Sequence, residues 1–215
     1  EMIEGARNNG IDVTTECYPY TAGMTRLEST LFDEGWQEQY GIDYDSLQWP
    51  ATGEFLTSQT FAQYRESGGW VITHATPVMA VKAAVKSPLT MIATDSIIQE
   101  GRGRPRTAGC YSRVLGRFVR ESGDLELMEA LAKMTIMPAK RLQQRAVTFE
   151  NKGRLKVGSD ADVTVFDPAT VIDNSTYENP TAPPTGIEHV LVNGIPVVSY
   201  GRLEVGAVPG KGIRA

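Results

Sequence analysis

The chain has 215 residues, 41% of them hydrophobic and 22% charged, with a formal net charge of −5 at pH 7. This is the composition of an ordinary globular protein, long enough for one large domain or two small ones. The acidic balance argues against nucleic acid or an anionic membrane as main partner. No apolar run approaches the length of a membrane span.

Glu1 to Arg7 reads as the last turns of an amphipathic helix, stopped at Asn8-Asn9-Gly10. Nothing stands before it to cap its N-terminus and no signal peptide is recognised, so the expectation is a chain that starts in the middle of a fold. Ile11 to Cys17 is a strand by composition, with β-branched and polar residues alternating. It runs into Tyr18-Pro19-Tyr20-Thr21-Ala22-Gly23, where proline and glycine force a turn. Residues 24–57 are rich in aromatics without clear periodicity and are expected to be an irregular lid or pocket wall. Ser58 is the expected N-cap of a helix through Tyr64, closed by Gly68-Gly69. Trp70 to His74 is a further short strand, and Pro77 opens a helix through Lys86.

Leu89 to Ala93 is a short apolar run between a proline and polar residues, the pattern of a strand covered on both faces in a parallel sheet. Asp95 follows it. In a β/α barrel, that is where catalytic groups stand; a turn-capping role is the alternative. Residues 99–109 are rich in arginine and glycine and are expected to form a mobile basic loop. Helices are expected at Tyr111 to Arg120, Asp124 to Met134 with Asp124 as N-cap, and Pro138 to Gln144. From about residue 146 the texture becomes β-rich. Residues 153–167 alternate, a proline-rich connector covers Asn179 to Pro184, and Asn193-Gly194 marks a hairpin within Ile187 to Val198. The division is therefore an α/β part, 1–145, and a small all-β part, 146–215.

The chain is poor in the nitrogen and sulfur ligands that zinc sites favour. There are two histidines, His74 and His189, with no His-x-His, no His-Glu-x-x-His and no Cys-x-x-Cys. His74, at a strand end, is expected as a pocket wall and His189 as structural. Cys17 and Cys110 lie far apart without a framework spacing, fit a reducing cytoplasm, and are expected to be buried, inert thiols. Asp160 and Asp162 bracket a strand start and are expected to shape a turn. Arg106 is either a two-pronged carboxylate anchor or one more solvated cation. Tyr18 is either a hydrogen-bond donor or a packed aromatic.

Several motifs together resemble the C-terminal portion of amidohydrolase-superfamily enzymes, in particular the N-acyl-D-amino-acid deacylases. They are Tyr18-Pro19-Tyr20-Thr21-Ala22-Gly23, Thr94-Asp95-Ser96, Arg104-Pro105-Arg106, Met134 to Leu142, Gly158 to Pro168 and Asn193-Gly194. The resemblance implies the C-terminal part of a TIM-like (β/α)8 barrel plus part of a small β-sandwich. Ile11 to Cys17 and Leu89 to Thr94 would be the last two barrel strands. It also implies a zinc-dependent hydrolase of linear amide bonds, with a small N-acyl amino acid as substrate. Asp95 would be the general acid/base on a metal-bound water. Tyr18 and Arg106 would hold the substrate carboxylate or polarise its amide carbonyl, and Thr73, His74 and Thr76 would face the side-chain pocket. The family's metal ligands are expected upstream of this chain, which alone would bind no zinc and be inactive. It would occur as an oligomer or as the remainder of a longer chain. The family's Ser-Asp-Gly is Thr94-Asp95-Ser96 here, its His-Pro-Arg is Arg104-Pro105-Arg106, and Met24 replaces a frequent hydroxyl residue. The alternatives are a non-catalytic subunit or scaffold, and an amidohydrolase acting on a cyclic amide or a deaminated ring.

Overall fold

The computed structural model describes residues 1–99 and 102–214. Helix α1 (Met2–Asn8) leads to strand β1 (Thr15–Cys17). The strand is shorter than the Ile11 to Cys17 run suggests. The Ile11 amide turns back to the Ala6 carbonyl at the helix end, and the Val13 amide bonds the Ile11 carbonyl, so neither is free to join a ladder.

Residues 24–57 are not irregular. They hold β2 (Gly23–Arg26), a 3₁₀ turn at Thr30–Phe32, α2 (Trp36–Tyr40), a second 3₁₀ turn at Tyr44–Ser46, and β3 (Leu47–Gln48). Helix α3 (Ser58–Ser67) and β4 (Trp70–Thr73) complete this unit. The three strands form an antiparallel sheet in the order β2-β4-β3. Against it packs a closed cluster of Leu27, Phe32, Trp36, Leu47, Leu56, Phe61 and Val71. Trp36 stacks on Phe61 with centroids 5.5 Å apart, and Phe32 and Tyr44 meet them edge-on. The aromatics expected to line a lid are this unit's own core.

Thr57, not Ser58, caps α3: its hydroxyl accepts from the Thr60 amide, and the Thr60 hydroxyl accepts in turn from the Thr57 amide. Thr57→Ala is expected to cost about 1 kcal/mol, or about 2–4 °C in Tm for a chain of this size. Ser58→Ala should leave the melting curve unchanged; equal losses in both variants would contradict this assignment.

Helix α4 (Val78–Lys86) begins just after Pro77, and β5 (Thr90–Ile92) follows it. Strand β5 is buried at every position and runs parallel to β1, with Thr15 opposite Thr90 and Cys17 opposite Ile92. Coverage on both faces thus holds for β5 but not for β1, whose Glu16 is exposed. The expected loop after Asp95 contains a small hairpin, β6 (Ile98–Gln99) with β7 (Arg102–Gly103); its Glu100 and Gly101 lie outside the described residues.

Helix α5 (Arg106–Arg113) starts right after Pro105, whose fixed φ suits a helix start. It runs on through a π-helical stretch, Val114–Glu121, closed by the Ser122 amide on the Arg117 carbonyl. Helices α6 (Leu127–Met134) and α7 (Ile136–Gln143) follow. Asp124 does not cap α6, whose N-cap position is Glu126; it accepts from Ser122 Oγ at 2.5 Å and pairs with Lys82 at 2.9 Å on α4. Between α4, α5, α6 and β5 lies a second core containing Tyr20, Val85, Ile92, Cys110, Val114, Phe118 and Ala130.

In residues 153–167 only Val163–Phe166 is strand, β8, and it joins β9 (Ile187–Val192), β10 (Ile195–Ser199) and β11 (Arg202–Leu203) in an antiparallel sheet of order β11-β10-β9-β8. The β9–β10 hairpin turns at Asn193 and Gly194, with φ of +50° and +77° as a tight primed turn requires. Asp160 and Asp162 are tied to neighbouring segments at the start of β8. Lys152 bridges both, at 2.9 and 2.5 Å, and Asp162 accepts the Asn193 amide.

Burial pushes the Cys17 thiol up to about 11, and the Cys110 thiol and Tyr177 phenol up to about 12. The unfolded chain would release these protons near 9 for the thiols and 10 for the phenol. Above about pH 9 the folded state therefore holds more protons than the unfolded one, and stability falls with rising pH. A denaturant midpoint that declines between pH 9 and 11, less steeply in Cys110→Ala, is the expected result. A flat profile would contradict it.

Candidate active site

Asp95 stands three residues beyond β5, in the left-handed region at φ +40°, which non-glycine residues other than Asn and Asp seldom adopt. That backbone turn presents both its carbonyl and its carboxylate to the Arg104-Pro105-Arg106 segment. Arg104 Nη1 donates to Asp95 Oδ1 at 2.9 Å and to the Asp95 carbonyl at 2.6 Å. Arg106 Nη2 donates to Oδ2 at 2.7 Å, and its Nε to the same carbonyl at 3.0 Å. The carboxylate itself is exposed.

Neither arginine is a solvated cation of a mobile loop. Arg106 is 1% exposed, and its guanidinium carbon lies over the Tyr18 ring, 3.8 Å from the centroid. Its remaining nitrogen points to the Ala22 carbonyl at 3.5 Å. Arg104 donates its other nitrogens to the Met24 carbonyl, at 3.1 and 2.5 Å. The two guanidiniums thus tie the Asp95 turn to the segment Tyr18–Met24, which carries the chain from β1 into β2.

The three residues expected to face a side-chain pocket lie at and just beyond the end of β4. Thr73 pairs with Gly23 and Leu47 at the end of β4, its hydroxyl buried without a hydrogen-bond partner. His74 follows, and its Nε2 lies 3.0 Å from Gln48 Oε1. Gln48 uses its amide nitrogen on the Gly53 carbonyl, so its oxygen is left to accept and His74 Nε2 carries the proton. Burial lowers the His74 pKa, favouring this neutral form. Phe55 and Tyr177 flank the imidazole, at centroid distances of 5.5 and 6.5 Å. Thr76 is exposed, and its amide bonds the Thr21 carbonyl.

Asp95, Arg106 and Tyr18 are thus in direct contact. Thr73, His74 and Thr76 stand beside this group, linked to the Tyr18–Met24 segment through Gly23, Thr21 and Tyr177. The sequence reading missed Arg104 as a partner of Asp95, and Gln48, Phe55 and Tyr177 around His74. Arg104 lay within a motif already singled out; the other three carried no local signal.

A zinc cradle needs three or four imidazole, thiolate or carboxylate donors converging on one point. Among the described residues no three His, Cys, Asp or Glu side chains do so. The groups nearest Asp95 are guanidiniums, which repel a cation. His74 is committed to Gln48, and Cys110 Sγ lies against the Ala93 carbonyl. These residues do not fit a zinc site of their own.

Comparisons with known proteins place the chain in a family. The chain is 34% identical over 208 residues to an N-acyl-D-glutamate deacylase of Alcaligenes xylosoxydans xylosoxydans, covering 91% of this chain and 40% of that protein. A D-aminoacylase of the same organism is 32% identical over 205 residues, covering 86% and 39%. The crystal structure of N-acyl-D-glutamate deacylase from Bordetella bronchiseptica, complexed with zinc and a phosphonate mimic of the tetrahedral intermediate, superposes with a TM-score of 0.75 at 32% identity, over 94% of this chain and 44% of that one. The chain thus spans about two fifths of the length of the curated relatives it matches. The model of the amidohydrolase family matches residues 1–198. With that match running through the Tyr18 turn, Asp95, the paired arginines and most of the β8–β11 sheet, the chain belongs to the amidohydrolase family.

Proposed function

We propose that this chain supplies the substrate-carboxylate and proton-transfer side of an N-acyl-D-amino-acid deacylase, a hydrolase of linear amide bonds. The observation that carries this reading is the Asp95–Arg106–Tyr18 contact at the carboxyl end of the buried parallel strand β5. There an acid/base group stands within hydrogen-bond reach of an anion-binding one.

In this reading Arg106 receives the α-carboxylate of the N-acyl amino acid, a pairing its planar fork suits. The incoming carboxylate competes with Asp95 for that guanidinium and frees one Asp95 oxygen. Asp95 then takes a proton from the attacking water as the new C–O bond forms. It delivers the proton to the amide nitrogen as the C–N bond breaks, giving a free amine and a carboxylate. Thr73, His74 and Thr76 face the substrate side chain. The zinc of such an enzyme would be bound by residues outside these 215. The fold in this reading is the last two strands and helices of a (β/α)8 barrel, 1–145, with a β-sandwich portion, 146–215.

The test is amine release by the complete enzyme from paired enantiomers, N-acetyl-D-glutamate and N-acetyl-L-glutamate, with N-acetyl-D-methionine beside them. Release of the amine from at least one D-substrate, with the L-form slower by a hundredfold or more, is the expected result. Absence of release from any of these D-substrates would overturn the reading.

A further inference from the structure

A segment almost seventy residues beyond Arg106 packs against the two stretches that carry Tyr18 and Arg106. Asp173, Ser175 and Tyr177 come just before the Pro-rich connector, far in sequence from both the Tyr18 turn and α5. All three nonetheless reach back to those two segments. Ser175 is buried, and its hydroxyl donates to the Pro105 carbonyl at 2.7 Å, at the residue before Arg106. The Tyr177 phenol donates to the Ala22 carbonyl at 2.9 Å, the oxygen that also faces Arg106 Nη1. Asp173 is buried and pairs with Arg113 Nη1 at 2.8 Å, and the Arg113 Nε donates to the Pro19 carbonyl at 2.7 Å, directly after Tyr18.

Packing shows the fit is close. At Gly109, one turn into α5 from Arg106, an added Cβ would stand 2.3 Å from Ser175 Oγ and 2.7 Å from the Tyr20 hydroxyl. The helix bearing Arg106 can therefore sit against this segment only because residue 109 lacks a side chain. Arg113, itself held by Asp173, together with Tyr177 and Ser175 donates to three backbone carbonyls, at Pro19, Ala22 and Pro105. Those carbonyls belong to the two segments that carry Tyr18 and Arg106.

We propose that Asp173, Ser175 and Tyr177 form a positioning strap that fixes the Tyr18 ring and the Arg106 guanidinium in their stacked geometry, and so tunes affinity for the substrate's carboxylate. The strap acts on Arg106 and Tyr18 through the Pro105, Ala22 and Pro19 carbonyls, the last by way of Arg113. Its consequence for substrate affinity rests on the proposed anchoring role of Arg106; its positioning role does not.

The experiment uses Tyr177→Phe and Ser175→Ala in the complete enzyme, each removing one hydroxyl and little else. Two readouts are taken. The first is the exchange rate of the Arg106 Nε–H proton by NMR, its resonance assigned from an Arg106→Lys variant. The second is KM and kcat for N-acetyl-D-glutamate and for its α-carboxamide. Each variant should speed Nε–H exchange at least tenfold. Each should raise KM for the carboxylate about three- to tenfold, as loss of one buried hydrogen bond implies, with kcat within twofold and the carboxamide's KM unchanged. In an Arg106→Met background, Tyr177→Phe should add nothing further to KM. Unchanged exchange in both strap variants would overturn the proposal, as would an equal KM rise for the carboxamide, which marks a merely structural role. If Arg106→Met itself leaves the carboxylate's KM unchanged, the anchoring role falls, and the exchange rates still decide the strap.

Discussion

Replacing Asp95 by Asn in the complete enzyme is expected to lower kcat by about a hundredfold or more, the usual range for loss of a general acid/base. The substitution is well suited to the question. Asn tolerates the left-handed backbone that Asp95 adopts at φ +40°, and the side chain is exposed, so the turn and the fold should survive. The amide oxygen can still accept from one of the two arginines that grip the carboxylate in the native chain. What is lost is the ability to take and give a proton. KM should change by less than about threefold, because the carboxylate is bound by Arg106 in this account. Steady-state kinetics on a D-substrate provide the check, with circular dichroism to show the fold is kept. Near-normal turnover would reduce Asp95 to a residue that ends a strand.

Lys133→Met is expected to produce the largest loss of stability, by about 2–3 kcal/mol, or about 5–10 °C in Tm. Lys133 is 1% exposed on α6, and its ammonium donates to the Ser87 carbonyl and, at 3.1 Å, to the Thr90 carbonyl. Those two oxygens sit where α4 gives way to β5, the strand that leads to Asp95. Methionine fills a similar volume but leaves both carbonyls without this donor, and an unsatisfied buried acceptor costs more than a hydrogen bond returns. Burial already lowers the Lys133 pKa, the mark of a charge held at some expense inside the protein. Thermal unfolding monitored at neutral pH would settle the matter. A Tm within 1 °C of the parent would mean that water or a shifted backbone supplies the missing donor.

The parts of the fold that could be read directly are those where one local signal dominates. Strand β5 was visible as an apolar run between a proline and polar residues, and it is buried at every position. The β9–β10 turn was visible because Asn193-Gly194 accepts positive φ at both residues. By contrast, the β2-β4-β3 sheet is built from strands of two to four residues. Over so short a length no alternation can be recognised, and only the shared cluster of Trp36, Phe61 and Leu47 makes them a unit. The caps failed for a related reason. Thr57 and Ser58 are adjacent and chemically alike, and the choice depends on Thr60 answering from within the helix. Asp124 looked like a cap, but two lysines on α4 claim it.

At the candidate site, Asp95 and Arg106 stood out because each lies in a short motif, whereas their relation did not. A guanidinium in an arginine-rich stretch reads as solvated from local composition. Burying Arg106 takes the Tyr18 ring and the Ala22 carbonyl from one stretch of chain and the Asp95 turn from another, more than seventy residues later. Such long-range satisfaction of a buried charge leaves no periodic trace in the sequence. The same holds for Tyr177, which reaches Ala22 across 155 positions.

The central claim is that Arg106 exchanges its Asp95 partner for the carboxylate of an N-acyl amino acid. A crystal structure of the complete Asp95→Asn enzyme, with N-acetyl-D-glutamate bound, tests this most directly. The account predicts the ligand's α-carboxylate within about 3 Å of the Arg106 guanidinium, the Tyr18 ring still stacked beneath it, and the residue 95 side chain turned toward the scissile amide. A ligand bound with its α-carboxylate away from Arg106, while that guanidinium stays closed on residue 95, would contradict it.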